Sequence, residues 1–223
     1  MIEGRPLIDW GWIVDHLDDI AESILQHLQL TIVPLILGLF ISLVLAVWAV
    51  RQPRVYGPVT AVTGILYTIP SLAAFAVLRP ITGLSLLTAI IPLTTYTLLI
   101  LVRNIVAGFQ AVPAEVLEAA EGMGYTRRQR LLRVELPLAV PLMLAGLRLA
   151  SVTTIGLATV AAVLGNSFGG LGQLITEGLQ AFFPTKYLLG AVLSVVLAFL
   201  ADALFVQIER FVTPWAQTRA GAR

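Results

Sequence analysis

Cysteine is absent, histidine occurs only at positions 16 and 27, and the one lysine is Lys186. Without cysteine there is no disulfide framework, thiolate metal site or cysteine nucleophile, and two histidines leave metal chemistry short of ligands. Charge is also scarce. Asp, Glu, Lys and Arg make up 12% of the 223 residues, against about 25% in an average soluble chain. The net charge is only +1, so composition gives no footprint for nucleic acid. What the chain has instead is apolar residues, 58% of the total.

Those residues fall in long charge-free windows. A helix needs about 20 apolar residues, at about 1.5 Å each, to cross roughly 30 Å of hydrocarbon. Residues 28–50, 55–78 and 80–102 are uncharged runs of 23, 24 and 23. Residues 138–164 carry only Arg148, and 187–208 only Asp202. The expectation is an all-α membrane protein with five spans, an external tail over 1–27, a charged interval over 103–137 and a short tail over 216–223. The first 27 residues hold six acids, one arginine and no early apolar run, which speaks against a cleaved signal peptide. Residues Ile2-Glu3-Gly4-Arg5 match a protease-site linker as readily as a chance sequence.

Short cytoplasmic loops concentrate Lys and Arg. With 103–137 inside, eleven of the fourteen cations are cytoplasmic and only Arg5, Arg79 and Lys186 are external. The N-terminus is therefore expected outside and the C-terminus in the cytoplasm. In the tail, Trp10, Ile13, Val14, Leu17, Ile20, Ile24 and Leu28 recur at helical spacing opposite Asp15, Asp18, Asp19 and Glu22, an amphipathic pattern. It suits an interfacial helix or a surface for an extracellular partner, with His16 and His27 as ordinary interfacial residues.

The interval 103–137 is too polar for lipid and too patterned for a linker; it reads as two short helices. Pro113 suits a first helical position, Glu115 and Glu118 the first turns, and Gly122 and Gly124 a left-handed exit. Thr126 and Gln129 make a capping box opening a second helix through Arg127, Arg128, Arg130 and Arg133 to Leu136. Pro137 then begins the fourth span. Val116, Ala119, Ala120 and Met123 form a small apolar stripe that calls for a partner protein.

Glu118-Ala119-Ala120, then Gly124, then Leu136-Pro137 resembles the EAA loop of permeases in ATP-binding-cassette (ABC) importers. The resemblance implies the type I ABC importer permease (MetI-like) fold, in which Glu118, Ala119, Ala120, Gly124, Leu136 and Pro137 belong to the coupling segment that docks into an ATPase subunit. Val134 stands before Glu135 where an isoleucine is frequent. A narrower likeness, in Ile69-Pro70-Ser71-Leu72-Ala73, Arg103-Asn104 and Gly170-Leu171-Gly172, is to the osmoprotectant branch, whose solutes are glycine betaine, choline, carnitine or proline. Gly83-Leu84-Ser85 departs from the Gly-Ile-Gly of that branch.

No G-x-x-x-x-G-K-[ST] is present, so ATP and Mg are expected on a partner ATPase and no cofactor on this chain, which is then not an enzyme. The external segments are too small to capture a solute, which implies a separate extracellular or periplasmic binding protein. The family also implies a second permease copy or paralogue and a bacterial or archaeal plasma membrane, with membrane lipid around the spans. Pro58, Gly64, Pro70, Pro92, Pro141 and Gly146 mark bends or close packing. Pro70 and Ser71 suit a pathway-facing kink or simple packing. Arg148 and Asp202 suit mutual pairing or a pathway role. Residues 165–172 read as a loop over the outer mouth, and Glu177 and Lys186 as contacts for the binding protein or solvated charges. The alternatives are a permease for another solute, such as an amino acid or sulfonate, and a self-sufficient channel or secondary carrier.

Overall fold

The computed structural model describes residues 7–83, 85–164 and 169–214, and every regular element among them is helical. Residues 2–5, Leu84, Asn166, Ser167 and the tail 216–223 lie outside the described residues. The elements are α1 (Trp10–Asp15), α2 (Leu17–Arg51), α3 (Pro53–Thr68), α4 (Ser71–Thr82), α5 (Leu86–Gln110), α6 (Ala114–Gly122), α7 (Arg127–Arg130), α8 (Leu136–Ala161), α9 (Leu171–Gln180) and α10 (Pro184–Val212). Among the described residues four continuous helices are long and apolar enough to span, namely α2, α5, the run Arg127–Ala161 and α10; α3 and α4, bent by 90° at Ile69–Pro70, pass the same test only together, as a broken span or a re-entrant loop.

Several boundaries differ from the sequence expectation, each for a local reason. The tail is not one surface helix: Asp9 caps α1 by accepting from the Trp12 N–H at 3.0 Å, the backbone breaks at His16, and from Leu17 the chain runs unbroken into the first span. Nothing between Leu17 and Leu28 can stop a helix, and Asp18 and Asp19 favour its first turn. The third span begins at Leu86 rather than residue 80, because Arg79 and Pro80 still belong to α4, which Gly83 ends at φ +69°. At its other end α5 carries Arg103 and Asn104 on to Gln110, so the polar loop starts eight residues later than charge suggested. The end of the stretch 165–172, read as a loop, already belongs to α9, which starts at Leu171. Leu171, Leu174 and Gly178, at i, i+3 and i+7, are the buried face of that helix.

The prolines also sort themselves. Pro58, Pro92 and Pro141 lie inside unbroken helices, which spans tolerate. Only Pro70 breaks one: it stands before Ser71 at φ −57°, ψ 131° as the N-cap of α4, and a residue before proline, here Ile69, is biased away from helix. Hydroxyls in the apolar windows donate to their own helices: Thr31 to the His27 carbonyl at 2.9 Å, Thr63 to Val59 at 2.8 Å and Ser194 to Gly190 at 2.7 Å. These three thereby offer no lone hydroxyl hydrogen to hydrocarbon, whereas Ser42 Oγ on α2 is buried without a hydrogen-bond partner among the described residues.

The chain divides into two compact units. One comprises residues 1–36, 68–94 and 151–200 and is built around Leu30, Phe75, Ala89, Leu93, Ala158 and Ala161. Its helices approach backbone to backbone: a Cβ on Gly172 would stand 2.3 Å from the Thr159 carbonyl oxygen. The other comprises 37–67, 95–150 and 201–223, with Leu101, Val102, Ile105 and Val106 fully buried. There a Cβ on Gly146 would meet Asn104 at 2.5 Å.

This packing separates glycines by consequence. Gly172→Ala is expected to destabilise by about 1–3 kcal/mol through overpacking, whereas Gly64→Ala, whose Cβ meets nothing within 4 Å, should be neutral or gain up to about 1 kcal/mol of helix propensity. Thermal unfolding in detergent, followed by helical circular dichroism, checks the order.

Candidate functional site

The residues of the EAA-like pattern lie in the second unit, on α6 and at the start of α8. Glu118 and Ala119 are exposed, as are Val116 and Met123, but Ala120 is buried and packs inward. The stripe expected to meet a partner is thus narrower, and Ala120 anchors the helix that presents it. The helix starts after Pro113, which serves as N-cap rather than first helical residue. Its exit needs only one glycine: Gly124 adopts φ +79° while Gly122 is the last helical residue. The Gly124 N–H donates to the Glu121 carbonyl at 2.9 Å and the Tyr125 N–H to that of Ala120 at 3.1 Å, satisfying carbonyls that the helix end leaves open.

The capping box is present in full: the Gln129 N–H donates to Thr126 Oγ1 at 3.3 Å and the Thr126 N–H to Gln129 Oε1 at 2.9 Å. The helix it opens does not stop at Leu136, however. Leu131–Glu135 form a π turn that passes into α8, so Arg127–Ala161 is one continuous 35-residue helix with Leu136 and Pro137 inside it. Pro137 cannot donate to the carbonyl four residues back, and the wider turn just before it accommodates that local mismatch.

Sequence reasoning missed the group that fixes α6. The Arg130 Nε donates to Glu135 Oε1 at 2.7 Å, and its Nη1 is ion-paired with Glu121 at the end of α6. The Glu135 side chain is only 13% exposed, so one guanidinium ties α6 to the π turn of the 127–161 helix. The two pairs span five and nine residues, the second across a turn, and no helical periodicity flags it.

Arg148 and Asp202 are brought together. Nε donates to Oδ1 at 2.9 Å and Nη2 to Oδ2 at 3.1 Å, a fork geometry that matches guanidinium to carboxylate. Glu209 Oε2 stands 3.8 Å from Nη1, two turns along α10 from Asp202. Pro70 and Ser71 belong to the other unit, where Pro70 is exposed and Ser71 half-buried.

In that first unit His27 is not interfacial but fully buried, its Nε2 3.1 Å from the Ile155 carbonyl oxygen. Beside it the Gln26 side-chain Oε1 accepts from the Gly170 N–H at 2.8 Å, so the chain entering α9 is held rather than free. Glu177 and Lys186, expected as contacts for the binding protein or as solvated charges, are paired with each other. Burial by itself would raise the Glu177 carboxyl, but hydrogen bonds from Lys186 and Gln173 and the Lys186 charge bring it below the ordinary value. They border a cleft of about 340 Å³ that Trp12, His16, Asp19 and Glu22 also line. Trp12 stacks on His16 at 4.4 Å. Among the described residues no group of three His, Asp or Glu side chains is placed to hold a metal.

The fork between Arg148 and Asp202 has a measurable signature. Arg148→Ala and Asp202→Ala should each destabilise, since each strands a charge at membrane depth, and the double variant should recover about 1–3 kcal/mol relative to their sum. Additive losses in a double-mutant cycle of unfolding in detergent would show that the two side chains act independently.

Residues 30–214 match the family described as "Binding-protein-dependent transport system inner membrane component". The chain is 35% identical, over 85% of its length and 86% of the relative's, to the glycine betaine/carnitine/choline transport system permease protein OpuCB of Bacillus subtilis. It is 33% identical, over 91% and 96%, to the osmoprotectant import permease protein OsmW of Salmonella typhimurium. Among solved structures, an inward-facing form of the MetNI methionine ABC transporter matches with TM-score 0.77 and 26% identity, covering 89% of this chain and 98% of that one. The all-helical architecture is therefore that of type I ABC importer permeases, a multi-pass membrane fold. With its membrane region matched almost end to end, the chain belongs to the binding-protein-dependent inner membrane component family and is a transport permease subunit of the ABC-importer kind.

Proposed function

We propose that this subunit forms half of the membrane pathway of an importer for a compatible solute of the glycine betaine, choline, carnitine or proline type. The likeness to OpuCB and OsmW over most of both chains supports that solute class. The single observation that carries the coupling mechanism is the α6 arrangement: Glu118 and Ala119 exposed, Ala120 packed inward, Gly124 at φ +79° and Arg130 holding the helix end. An exposed short helix tied to the root of a long span suits the transmission of a push.

In this account a separate ATPase pair binds ATP and Mg, closes, and carries α6 with it. The 127–161 helix follows, and the permease, paired with a second copy or a paralogue, opens outward to a docked binding protein. Hydrolysis resets it inward. The bias of arginine towards one side supports an external N-terminus and a cytoplasmic C-terminus in a bacterial or archaeal plasma membrane. On that orientation the cleft beside Trp12, Glu177 and Lys186 faces the binding protein, and Pro70, Ser71 and the Arg148–Asp202 fork are the candidates for pathway or gate. A second reading, an amino acid as solute, is favoured by the 26% identity to the methionine transporter.

Proteoliposomes decide between an importer subunit and a self-sufficient carrier. The chain alone should leave labelled glycine betaine outside, and uptake should need the cognate ATPase, the binding protein and ATP; uptake without an ATPase would sink the reading, and methionine preferred over betaine would select the second. Gly124→Val, which forces a β-branched residue to positive φ at about 1–3 kcal/mol of strain, should lower ATPase copurification while the spans stay folded. Unchanged copurification and transport would remove the coupling role of α6.

A further inference from the structure

The second unit holds three arginines, Arg51, Arg127 and Arg128, to which nothing above gives a partner. Where the first apolar window ends, Arg51 lines a cleft of about 730 Å³ together with Arg127, Arg128, Arg130, Glu121 and Glu135. The two carboxylates are already paired with Arg130, and no ion pair engages Arg51, Arg127 or Arg128 among the described residues. Three exposed guanidiniums around one hollow repel one another unless an anion joins them. A second groove shares Val47 and Arg51 with this cleft and runs along α2 over Leu43, Val44 and Trp48. Its surface is apolar and open, with Val44 59% and Trp48 49% exposed. Trp48 one turn before Arg51 is the order of side chains found where hydrocarbon meets headgroups.

We propose that an anionic phospholipid occupies this pair of surfaces, its phosphate held by Arg51, Arg127 and Arg128 and one acyl chain lying along Leu43, Val44, Val47 and Trp48. The charge of the cleft selects an anionic over a zwitterionic headgroup, since each arginine near a membrane surface adds to the attraction of anionic lipid. The apolar groove that continues from it distinguishes a lipid from free phosphate or from an acidic protein surface, neither of which has a use for Leu43 and Trp48. Arginine, with several donors in a fixed plane, suits phosphate better than lysine would, and every cation in this region is arginine. The bound lipid is then a counterion shared by the end of the first span and the root of the 127–161 helix. This inference does not depend on the solute.

The full chain in mild detergent, analysed by native mass spectrometry after addition of phosphatidylglycerol, phosphatidylcholine, glycerol 3-phosphate or inorganic phosphate, provides the test. Phosphatidylglycerol should be retained well beyond phosphatidylcholine, and its retention should fall about fivefold per arginine removed in Arg51→Gln and in the pair Arg127→Gln with Arg128→Gln. Arg133→Gln, outside the cleft, should keep it. Equal retention of both lipids, or unaltered retention in the cleft variants, overturns the site. Glycerol 3-phosphate or inorganic phosphate retained as strongly as phosphatidylglycerol reassigns it to a free anion and overturns the lipid. Cleft variants that keep the lipid but lose a copurifying ATPase reassign it to a protein contact, which also overturns the proposal. Should the arginine variants not purify, Trp48→Ala reads the same site from its apolar end: loss of phosphatidylglycerol with phosphatidylcholine unchanged supports the lipid, and no loss overturns it.

Discussion

Hydrocarbon has no hydrogen bonds to offer, so every polar group placed in it must find its partner inside the chain. The rest of this structure follows from that constraint. Backbone groups are satisfied by helices, among the described residues without exception in fold class. The Thr31, Thr63 and Ser194 hydroxyls bond the carbonyl one turn back on their own helix, with the buried Ser42 an exception. The arginine at membrane depth, Arg148, is met by Asp202 with Glu209 close by. Because apolar burial gives little drive for association between helices already in lipid, close packing carries more of the load, and glycines such as Gly172 and Gly108 bring helices within reach of each other's backbone.

The same constraint explains what the sequence made legible. Charge-free windows of 23 and 24 residues have few other uses, so a multi-span helical membrane fold was visible, with four continuous spans and a bent pair where five were expected. So were the capping box at Thr126–Gln129 and the left-handed exit at Gly124, since both depend on residue types with a local mechanism. Boundaries were less legible because hydropathy reports where lipid ends, not where a helix does. Arg103, Asn104 and Gln110 are polar yet keep helical hydrogen bonding at the end of α5, and the acidic residues after Leu17 do the same at the start of α2.

Long-range pairing was the least legible. The fork between Arg148 and Asp202 could be suspected because both charges were conspicuous in apolar windows. Arg130 with Glu121 and Glu135 could not, since all three stand in a stretch rich in charges and only the turn at Gly124 brings two of them together. The burial of His27 and Ala120 depends on which face of a helix meets a neighbour, and a single small or ambivalent residue carries too little periodic signal to declare that. The helix α9 is different: Leu171, Leu174 and Gly178 carry the spacing of a buried face, but the glycines just before it carry the composition of a loop.

For transport, the central claim is that α6 and the membrane helix move together because one guanidinium joins them. The most direct measurement compares solute uptake with ATP hydrolysis in the reconstituted importer carrying Arg130→Gln. If Arg130 is the link, the complex should still assemble and hydrolyse ATP, but each solute imported should consume several times more ATP. A variant in which uptake and hydrolysis keep the wild-type ratio would contradict the account.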